Sequence, residues 1–293
     1  MFASNAINRE GNAFSAKHTM TASEISGDRW YINCRLIIRR IDMKKTYSCE
    51  LIMKTELCQG IYDYVVKAPE ISELAEIGQF LHINCGGKTL LRRPISICDF
   101  GEGFVRFAFQ VKGEGTAELA KREVGDMIDI MGPLGHGFKT TEGEKAVVIG
   151  GGIGVFPVLG LARRKNTAVF LGFRNKDMVV MEDDFKEACD NVTICTDDGS
   201  YGYDGFAIAA MGEYLLENKA DIIYCCGPKP MLKAVKQIAG HMNIPCQLSL
   251  EERMGCGIGA CLTCVCKTTG TGMAEHKQVC TCGPVFDAKE VVL

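Results

Sequence analysis

A β-branched apolar run passes into a glycine-rich turn at Val147-Val148-Ile149-Gly150-Gly151-Gly152-Ile153-Gly154-Val155-Phe156-Pro157. This pattern predicts a strand, a tight turn and the start of a helix. Gly151, Gly152 and Gly154 leave the backbone bare, so a pyrophosphate can approach it and meet the positive end of the helix. Pro157 stands where the G-x-G-x-x-G fingerprint has its third glycine, so the turn departs from the dehydrogenase version. A plain tight turn is the alternative.

The residues around this turn, 142–250, alternate between apolar runs and helical stretches. The apolar runs are Ala146–Ile149, Ala168–Phe173, Val192–Cys195, Ile222–Cys226 and Cys246–Leu250, and the helical stretches are Pro157–Lys165, Asp183–Cys189, Gly205–Leu216 and Pro230–His241. Such alternation predicts a parallel sheet with helices on both faces. A second turn, Cys226-Gly227-Pro228, follows the fourth run, at the carboxyl edge where open α/β sheets bind ligands.

Residues 43–141 show short β segments separated by turn signals. The segments are Tyr47–Met53, Ile61–Lys67, Gln79–Asn84, Pro94–Cys98 and Val105–Lys112, and the turn Gly132–Phe138 ends the region. Short strands at nearly regular spacing predict an antiparallel β-barrel. Residues 1–42 are polar and lack this pattern, and we interpret them as an extension.

Two stretches of the predicted barrel carry candidate binding groups. Arg93-Pro94-Ile95-Ser96 places a basic and a hydroxyl residue three positions apart on a strand, so they point to opposite faces. One can meet a phosphate while the other, or its backbone, meets a flavin ring. Gln110-Val111-Lys112-Gly113-Glu114-Gly115-Thr116 adds a turn whose amides can cradle a pyrophosphate. An ordinary basic strand is the alternative for the first stretch.

A cysteine-rich segment, residues 251–293, carries the strongest chemical signal. Cys256, Cys261 and Cys264 follow the spacing C-x4-C-x2-C, and Cys280 comes later. This spacing is typical of plant-type [2Fe-2S] ferredoxin sites, where three thiolates converge on the cluster from one glycine-rich loop. A zinc site is the alternative, although zinc loops favour paired C-x2-C units. Spacing alone leaves Cys280 and Cys282 nearly equal as the fourth ligand.

Composition sets further limits on function. The 293 residues carry a net charge of -3, which gives no indication of a nucleic-acid partner. No apolar run reaches the length of a membrane span, and the N-terminus lacks the features of a secretory signal. Sixteen cysteines in a chain that we expect to be cytoplasmic indicate metal or redox use rather than disulfides.

Taken in order, these motifs resemble the ferredoxin–NADP reductase superfamily. The matching elements are R-P-x-S, G-x-G-T, G-P-L-G-x-G-F, G-G-G-x-G-x-x-P, C-G-P-x-P-M and the C-terminal cysteine motif. With V-C-x-x-G-P-V-F near the end, residues 44–293 are similar to the electron-transfer subunits of class 1B dihydroorotate dehydrogenases. The resemblance implies an FAD-binding barrel over 43–141, an NAD-binding α/β domain over 142–250 and a [2Fe-2S] segment over 251–293.

The resemblance also implies roles for individual residues. The implied FAD-binding residues are Arg93, Pro94, Ile95, Ser96, Gln110, Val111, Lys112, Gly115 and Thr116. The implied NAD-binding residues are Gly151, Gly152, Gly154, Cys226, Gly227 and Pro228. The implied cluster ligands are Cys256, Cys261, Cys264 and Cys280, which favours Cys280 over Cys282.

The function implied by the resemblance is electron transfer in pyrimidine biosynthesis. An FMN-containing catalytic subunit, in a heterotetramer with two copies of each chain, oxidises dihydroorotate, and the electrons reach NAD⁺ through the cluster and FAD. One alternative is a subunit of another complex, such as a ferredoxin:NADP reductase or a sulfide dehydrogenase. The alternative from a different class is a non-catalytic interaction module stabilised by zinc.

Overall fold

The computed structural model describes residues 45–293. The predicted extension, residues 1–42, lies outside the described residues. The described chain forms a closed six-stranded antiparallel barrel, a seven-stranded mostly parallel sheet and a cysteine-rich C-terminal segment. The fold class predicted from the sequence is therefore confirmed.

The barrel strands pair in the order β1-β2-β5-β4-β3-β6, and β1 pairs with β6 to close the barrel. Their bounds are Thr46–Cys58 (β1), Ile61–Lys67 (β2), Phe80–Ile83 (β3), Arg93–Gly101 (β4), Phe104–Gln110 (β5) and Met127–Leu134 (β6), with the helices Pro69–Ser72 (α1) and Glu114–Leu119 (α2) between them. The sequence analysis identified only the turn after β6. In the structure Ile128 and Ile130 of β6 are buried in the barrel core, as the period-2 rule of a half-buried strand requires.

Seven strands form the second sheet, in the order β10-β9-β8-β7-β11-β12-β15. The strands of this half of the chain are Ala146–Gly151 (β7), Thr167–Phe173 (β8), Val192–Thr196 (β9), Tyr203–Asp204 (β10), Ile222–Cys226 (β11), Cys246–Ser249 (β12), Val265–Lys267 (β13), His276–Gln278 (β14) and Val285–Asp287 (β15). All neighbours in the sheet are parallel except β12 and β15. The five runs predicted from the sequence correspond to β7, β8, β9, β11 and β12.

Helices cover both faces of this sheet. They are Leu159–Ala162 (α3), Glu182–Ala188 (α4), Ala207–Glu217 (α5), Lys229–Met242 (α6) and Val279–Cys282 (α7), with 3₁₀ helices at Gly152–Val158, Lys176–Met178 and Gly272–Glu275. Val147 and Ile149 pack into one core with α5 and α6, whereas Val148 packs into another core with α3 and α4. Each buried strand thus contributes apolar side chains to both faces, which explains its continuous apolar sequence.

The first predicted helix differs from the observed one. The sequence predicts an α-helix over Pro157–Lys165, but the chain forms the 3₁₀ helix Gly152–Val158 followed by only one α-helical turn. Pro157 lies inside the 3₁₀ helix. Proline has no amide hydrogen to donate, so it interrupts the i→i−4 bonding that an α-helix needs.

The C-terminal segment is tied to both larger parts of the fold. Its last strand, β15, extends the parallel sheet, and the backbone amide of Leu250 donates to the Pro284 carbonyl at 2.8 Å. The amide of His136, beyond the last barrel strand, donates to the Gly283 carbonyl at 2.6 Å. Strand β15 was not foreseen, because three residues are too few for a visible period. Among residues 45–293, no helix has the length and apolar character needed to cross a membrane.

Candidate functional site

A cavity of about 730 Å³ lies between the barrel and the carboxyl edge of the parallel sheet. Three walls enclose it. The barrel wall includes Arg93–Ser96, Gln110, Lys112, Gly113 and Thr116; the sheet wall includes Ile153, Phe156, Cys226 and Ser249; and the third wall is Leu250–Met254. The third wall runs directly into the cysteine loop, so the cavity joins all three parts of the fold at the edge where open sheets bind ligands.

Arg93 is packed directly over Gly115 on the barrel side of this cavity. A Cβ atom on Gly115 would lie 2.7 Å from Arg93 Nε, so a side chain at this position would force the Arg93 side chain to move. The Arg93 guanidinium donates to the Leu91 carbonyl at 2.6 Å, which fixes its position on the strand. Arg93, Pro94, Ile95 and Ser96 all line the cavity. The structure therefore brings this predicted group together along one wall.

The turn after β5 is organised by the Thr116 hydroxyl. The amide of Lys112 donates to Thr116 Oγ1 at 2.9 Å, and the hydroxyl donates to the Gly113 carbonyl at 3.1 Å. The amides of Lys112 and Gly113 are thus directed toward the hydroxyl, rather than left free for a phosphate as the sequence suggested. Val111 and Gly115 are not among the cavity-lining residues of the described chain.

The glycine turn at residues 150–154 packs against the turn Cys226-Gly227-Pro228. A Cβ on Gly154 would lie 2.5 Å from the Cys226 carbonyl oxygen, and a Cβ on Gly151 would lie 2.6 Å from the Met231 side chain. Cys226 is buried at the cavity wall, and burial raises the pKa of its thiol to about 12, so it stays protonated. Within the described residues, five predicted residues of this edge do not line the cavity, namely Gly151, Gly152, Gly154, Gly227 and Pro228.

The cysteine loop has the open backbone that its glycines predict. Gly257 has φ +70° and Gly259 has φ +86°, values in the left-handed region that glycine adopts without strain. The Ala260 amide donates to Cys256 Sγ at 3.2 Å. The Gln278 side chain donates to the Gly259 carbonyl at 2.8 Å and ties the loop to the end of β14. Backbone amides directed at sulfur are the donors that stabilise thiolates around an iron–sulfur cluster.

The four candidate ligands form two interacting pairs. Hydrogen bonds from Thr263 and interaction with Cys256 lower the pKa of Cys261 to about 6. Burial and the nearby Cys264 side chain raise the pKa of Cys280 to about 12, and the Val279 amide donates to the Cys264 carbonyl at 2.7 Å. Cys256 also acts on the Cys280 thiol, so the four thiols lie near one another and could hold one iron–sulfur cluster.

Cys282 differs from Cys280 in its surroundings. Cys280 is 2% exposed and lies beside Cys264, whereas Cys282 is exposed and acts on the Cys266 thiol. Within residues 45–293, no three His, Cys, Asp or Glu side chains converge on a point suited to a single metal ion.

Several residues at this site escaped the sequence analysis. Phe80, Ile153, Phe156, Ser249, Glu251–Met254 and Pro284 line the cavity, and His82 lies beneath the cysteine loop. The positions of Ser249 and Glu251, directly after an apolar strand, were a usable signal because ligands bind beyond the carboxyl ends of parallel strands. The contributions of Phe80, Pro284 and His82 arise only from tertiary contacts.

Comparison with known proteins agrees with this geometry. The family described as "Iron-sulfur cluster binding domain of dihydroorotate dehydrogenase B" matches residues 251–292. The electron-transfer subunit of dihydroorotate dehydrogenase B (NAD⁺) from Caldanaerobacter subterraneus subsp. tengcongensis is 44% identical over 218 residues, covering 73% of this chain and 86% of that protein. The chain belongs to the family of dihydroorotate dehydrogenase B electron-transfer subunits.

Two further relatives match most of the chain. The corresponding subunit from Bacillus mycoides is 40% identical over 264 residues, covering 86% of this chain and 100% of that protein. A chain of the NADH-dependent reduced ferredoxin-NADP oxidoreductase, solved for its flavin-based electron bifurcation, has a TM-score of 0.76 and 31% identity, covering 85% of this chain and 91% of that chain.

These relatives confirm several predictions made from the sequence. The chain is an oxidoreductase component with an electron-transfer role in NAD-dependent dihydroorotate dehydrogenase, and its cofactors are FAD, a [2Fe-2S] cluster and NAD. It is one subunit of a complex that includes a catalytic partner. The comparisons favour this family over the alternative complexes considered above.

Proposed function

We propose that the chain channels electrons from dihydroorotate oxidation in an FMN-containing catalytic subunit to NAD⁺, by way of its [2Fe-2S] cluster and FAD, in pyrimidine biosynthesis. The observation that carries this proposal is the three-walled cavity. Barrel residues Arg93–Ser96, sheet residue Cys226 and the residues leading to Cys256 meet around one space. A flavin there links one-electron cluster chemistry to two-electron nicotinamide chemistry.

The barrel wall supports FAD binding by this part of the chain. Arg93 offers a charged donor for phosphate, and Thr116 fixes the turn beside it. Arginine suits phosphate because its planar guanidinium can donate two parallel hydrogen bonds. The remaining proposed FAD contacts are Pro94, Ile95, Ser96, Gln110, Val111, Lys112 and Gly115.

The sheet edge supports NAD binding. We propose that NAD contacts the turn of Gly151, Gly152 and Gly154 and the turn of Cys226, Gly227 and Pro228 that packs against it. Open space surrounds Gly152 and Cys226 lines the cavity, so a nicotinamide bound along this edge reaches the flavin side of the site. Ile153 and Phe156 give this edge of the cavity an apolar lining, which suits hydride transfer.

The cluster ligands in this proposal are Cys256, Cys261, Cys264 and Cys280. The pairing of these thiols and the exposure of Cys282 support this choice. Cys261 is exposed at the surface, and Leu262 beside it is 67% exposed. Ile258 and Val265 of the same segment are also exposed apolar residues, which suits contact with the catalytic partner, and we propose a heterotetramer with two copies of each chain.

A cytoplasmic location is part of the same proposal. All cysteines that the structure describes are unpaired thiols, including those buried in the sheet such as Cys225 and Cys246. Unpaired thiols in such number suit a reducing compartment.

The function is tested by reconstitution with the catalytic subunit and an assay of dihydroorotate-dependent NAD⁺ reduction. Cys280→Ser should abolish that activity, because the entry point for electrons is damaged. It should retain reduction of ferricyanide by NADH, which needs only the flavin and nucleotide sites. Cys282→Ser is the matched control and should keep both activities. A purified complex that binds all cofactors yet shows no dihydroorotate-dependent NAD⁺ reduction would contradict the proposal.

A further inference from the structure

His82 lies on β3 between the barrel and the cysteine loop. Its neighbours Leu81 and Ile83 point into the barrel core, so His82 points outward, on the same face as Phe80. It is nevertheless only 1% exposed, because the cysteine loop covers it. Its strand partner on β4 is Pro94, which lines the cavity proposed for FAD. The imidazole therefore occupies the layer between the two redox sites.

The His82 imidazole lacks a hydrogen-bond partner at both ring nitrogens within residues 45–293. An imidazole carries at least one ring N–H donor in both its neutral and its protonated form. A buried donor without an acceptor is unfavourable, which points to a partner supplied by a bound group.

The position of Gly257 shows in which direction that partner lies. A Cβ atom on Gly257 would lie 2.6 Å from His82 Nδ1, so the ring edge presses against the backbone that directly follows Cys256. The described residues that line the FAD cavity include Phe80 but not His82. The unsatisfied ring edge thus faces the cysteine loop rather than the flavin cavity.

We propose that His82 is a positioning residue whose ring N–H donates a hydrogen bond to a sulfur atom at the Cys256 end of the cluster and thereby sets its reduction potential. The inference rests on the cluster site proposed above. Reduction adds negative charge to the cluster, so a donor to sulfur stabilises the reduced form more than the oxidised form. The bond would raise the potential of the cluster that exchanges electrons with the flavin.

The direct test is electron spin echo envelope modulation of the dithionite-reduced complex, prepared with ¹⁵N-labelled histidine. We expect a ¹⁵N coupling to the cluster in the wild type and in the control His136→Leu, whose side chain is exposed at the surface. The coupling should be absent in His82→Asn, which removes the labelled ring. A wild-type cluster signal without any ¹⁵N coupling would overturn the inference.

A second measurement separates hydrogen bonding from packing. Asparagine places an amide nitrogen as many bonds from Cβ as Nδ1, so His82→Asn keeps a donor, whereas His82→Leu removes it. We expect His82→Leu to lower the reduction equilibrium constant of the cluster about threefold, which is ~30 mV for one electron, and His82→Asn to lie closer to the wild type. Equal shifts in both variants, or none, would overturn the inference. Absence of any cluster signal in the wild type would instead refute the proposed cluster site.

Discussion

Replacing Arg106 with methionine should destabilise the folded protein by about 3–5 kcal/mol. Arg106 lies on β5, and its Nε donates to Asp63 of β2 at 2.9 Å. Its guanidinium also pairs with Asp184 of α4, so it joins the barrel to the parallel sheet. The Asp63 side chain is only 2% exposed. Without Arg106 it becomes an unpaired buried carboxylate, which accounts for most of the loss.

The stability lost in Arg106→Met should depend on pH in a definite direction. Burial raises the pKa of Asp63 above its usual value, and Arg106 opposes that rise. Removing Arg106 should raise this pKa further, so the folded variant binds a proton at a pH where its unfolded chain does not. Stability of Arg106→Met should therefore fall as pH rises through that window, and the deficit relative to the wild type should shrink from about pH 8 to about pH 5.

Urea unfolding of the cofactor-loaded protein, with free FAD at constant concentration, measures these effects through far-UV circular dichroism and flavin fluorescence. Asp63→Asn/Arg106→Met should lose only about 1–2 kcal/mol, because a neutral amide replaces the stranded charge. Asp184→Asn, at a carboxylate 31% exposed, should cost below about 1 kcal/mol. If the double variant is no more stable than Arg106→Met at pH 8, the buried-charge explanation is refuted.

The remaining predictions concern the cofactor sites and the partner surface. Cys280→Ser should lower the iron content of the purified protein, whereas Cys282→Ser should retain it, and iron and acid-labile sulfide analysis measures the difference. Arg93→Leu should weaken FAD binding by about ten- to a hundredfold through loss of a charged donor, as followed by flavin fluorescence titration; unchanged affinity would remove Arg93 from the FAD site. Gly154→Ala should raise the KM for NAD⁺ with FAD content unchanged, because its Cβ would collide with the Cys226 carbonyl, and steady-state kinetics checks this. Leu262→Glu should weaken association with the catalytic subunit while the cluster spectrum persists, as measured by size-exclusion chromatography.

Much of the fold was predictable because its signals are local. The continuous apolar runs of β7, β8 and β11 reflect burial on both faces of a parallel sheet, and the barrel strands reflect half-burial. The cysteine spacing was equally informative, because three ligands in one loop must be close in space whatever the rest of the chain does.

Other features depended on contacts between distant residues. The order of Gly151 to Gly154 along the chain indicates a bare turn, but the packing of Gly154 against the Cys226 carbonyl requires β7 and β11 to be neighbours. The 3₁₀ geometry of Gly152–Val158 departs from the predicted α-helix because Pro157 has no amide hydrogen to donate.

The sequence by itself determined the three-part architecture, the glycine turns and the cysteine loop, since each is encoded by periodicity or spacing within a few residues. Only the tertiary structure decided that β15 joins the parallel sheet, that Cys280 rather than Cys282 lies beside Cys264, and that His82 is buried beneath Gly257. The physical reason is that burial and unsatisfied hydrogen bonds are properties of neighbours in space, and those neighbours lie far apart along the chain.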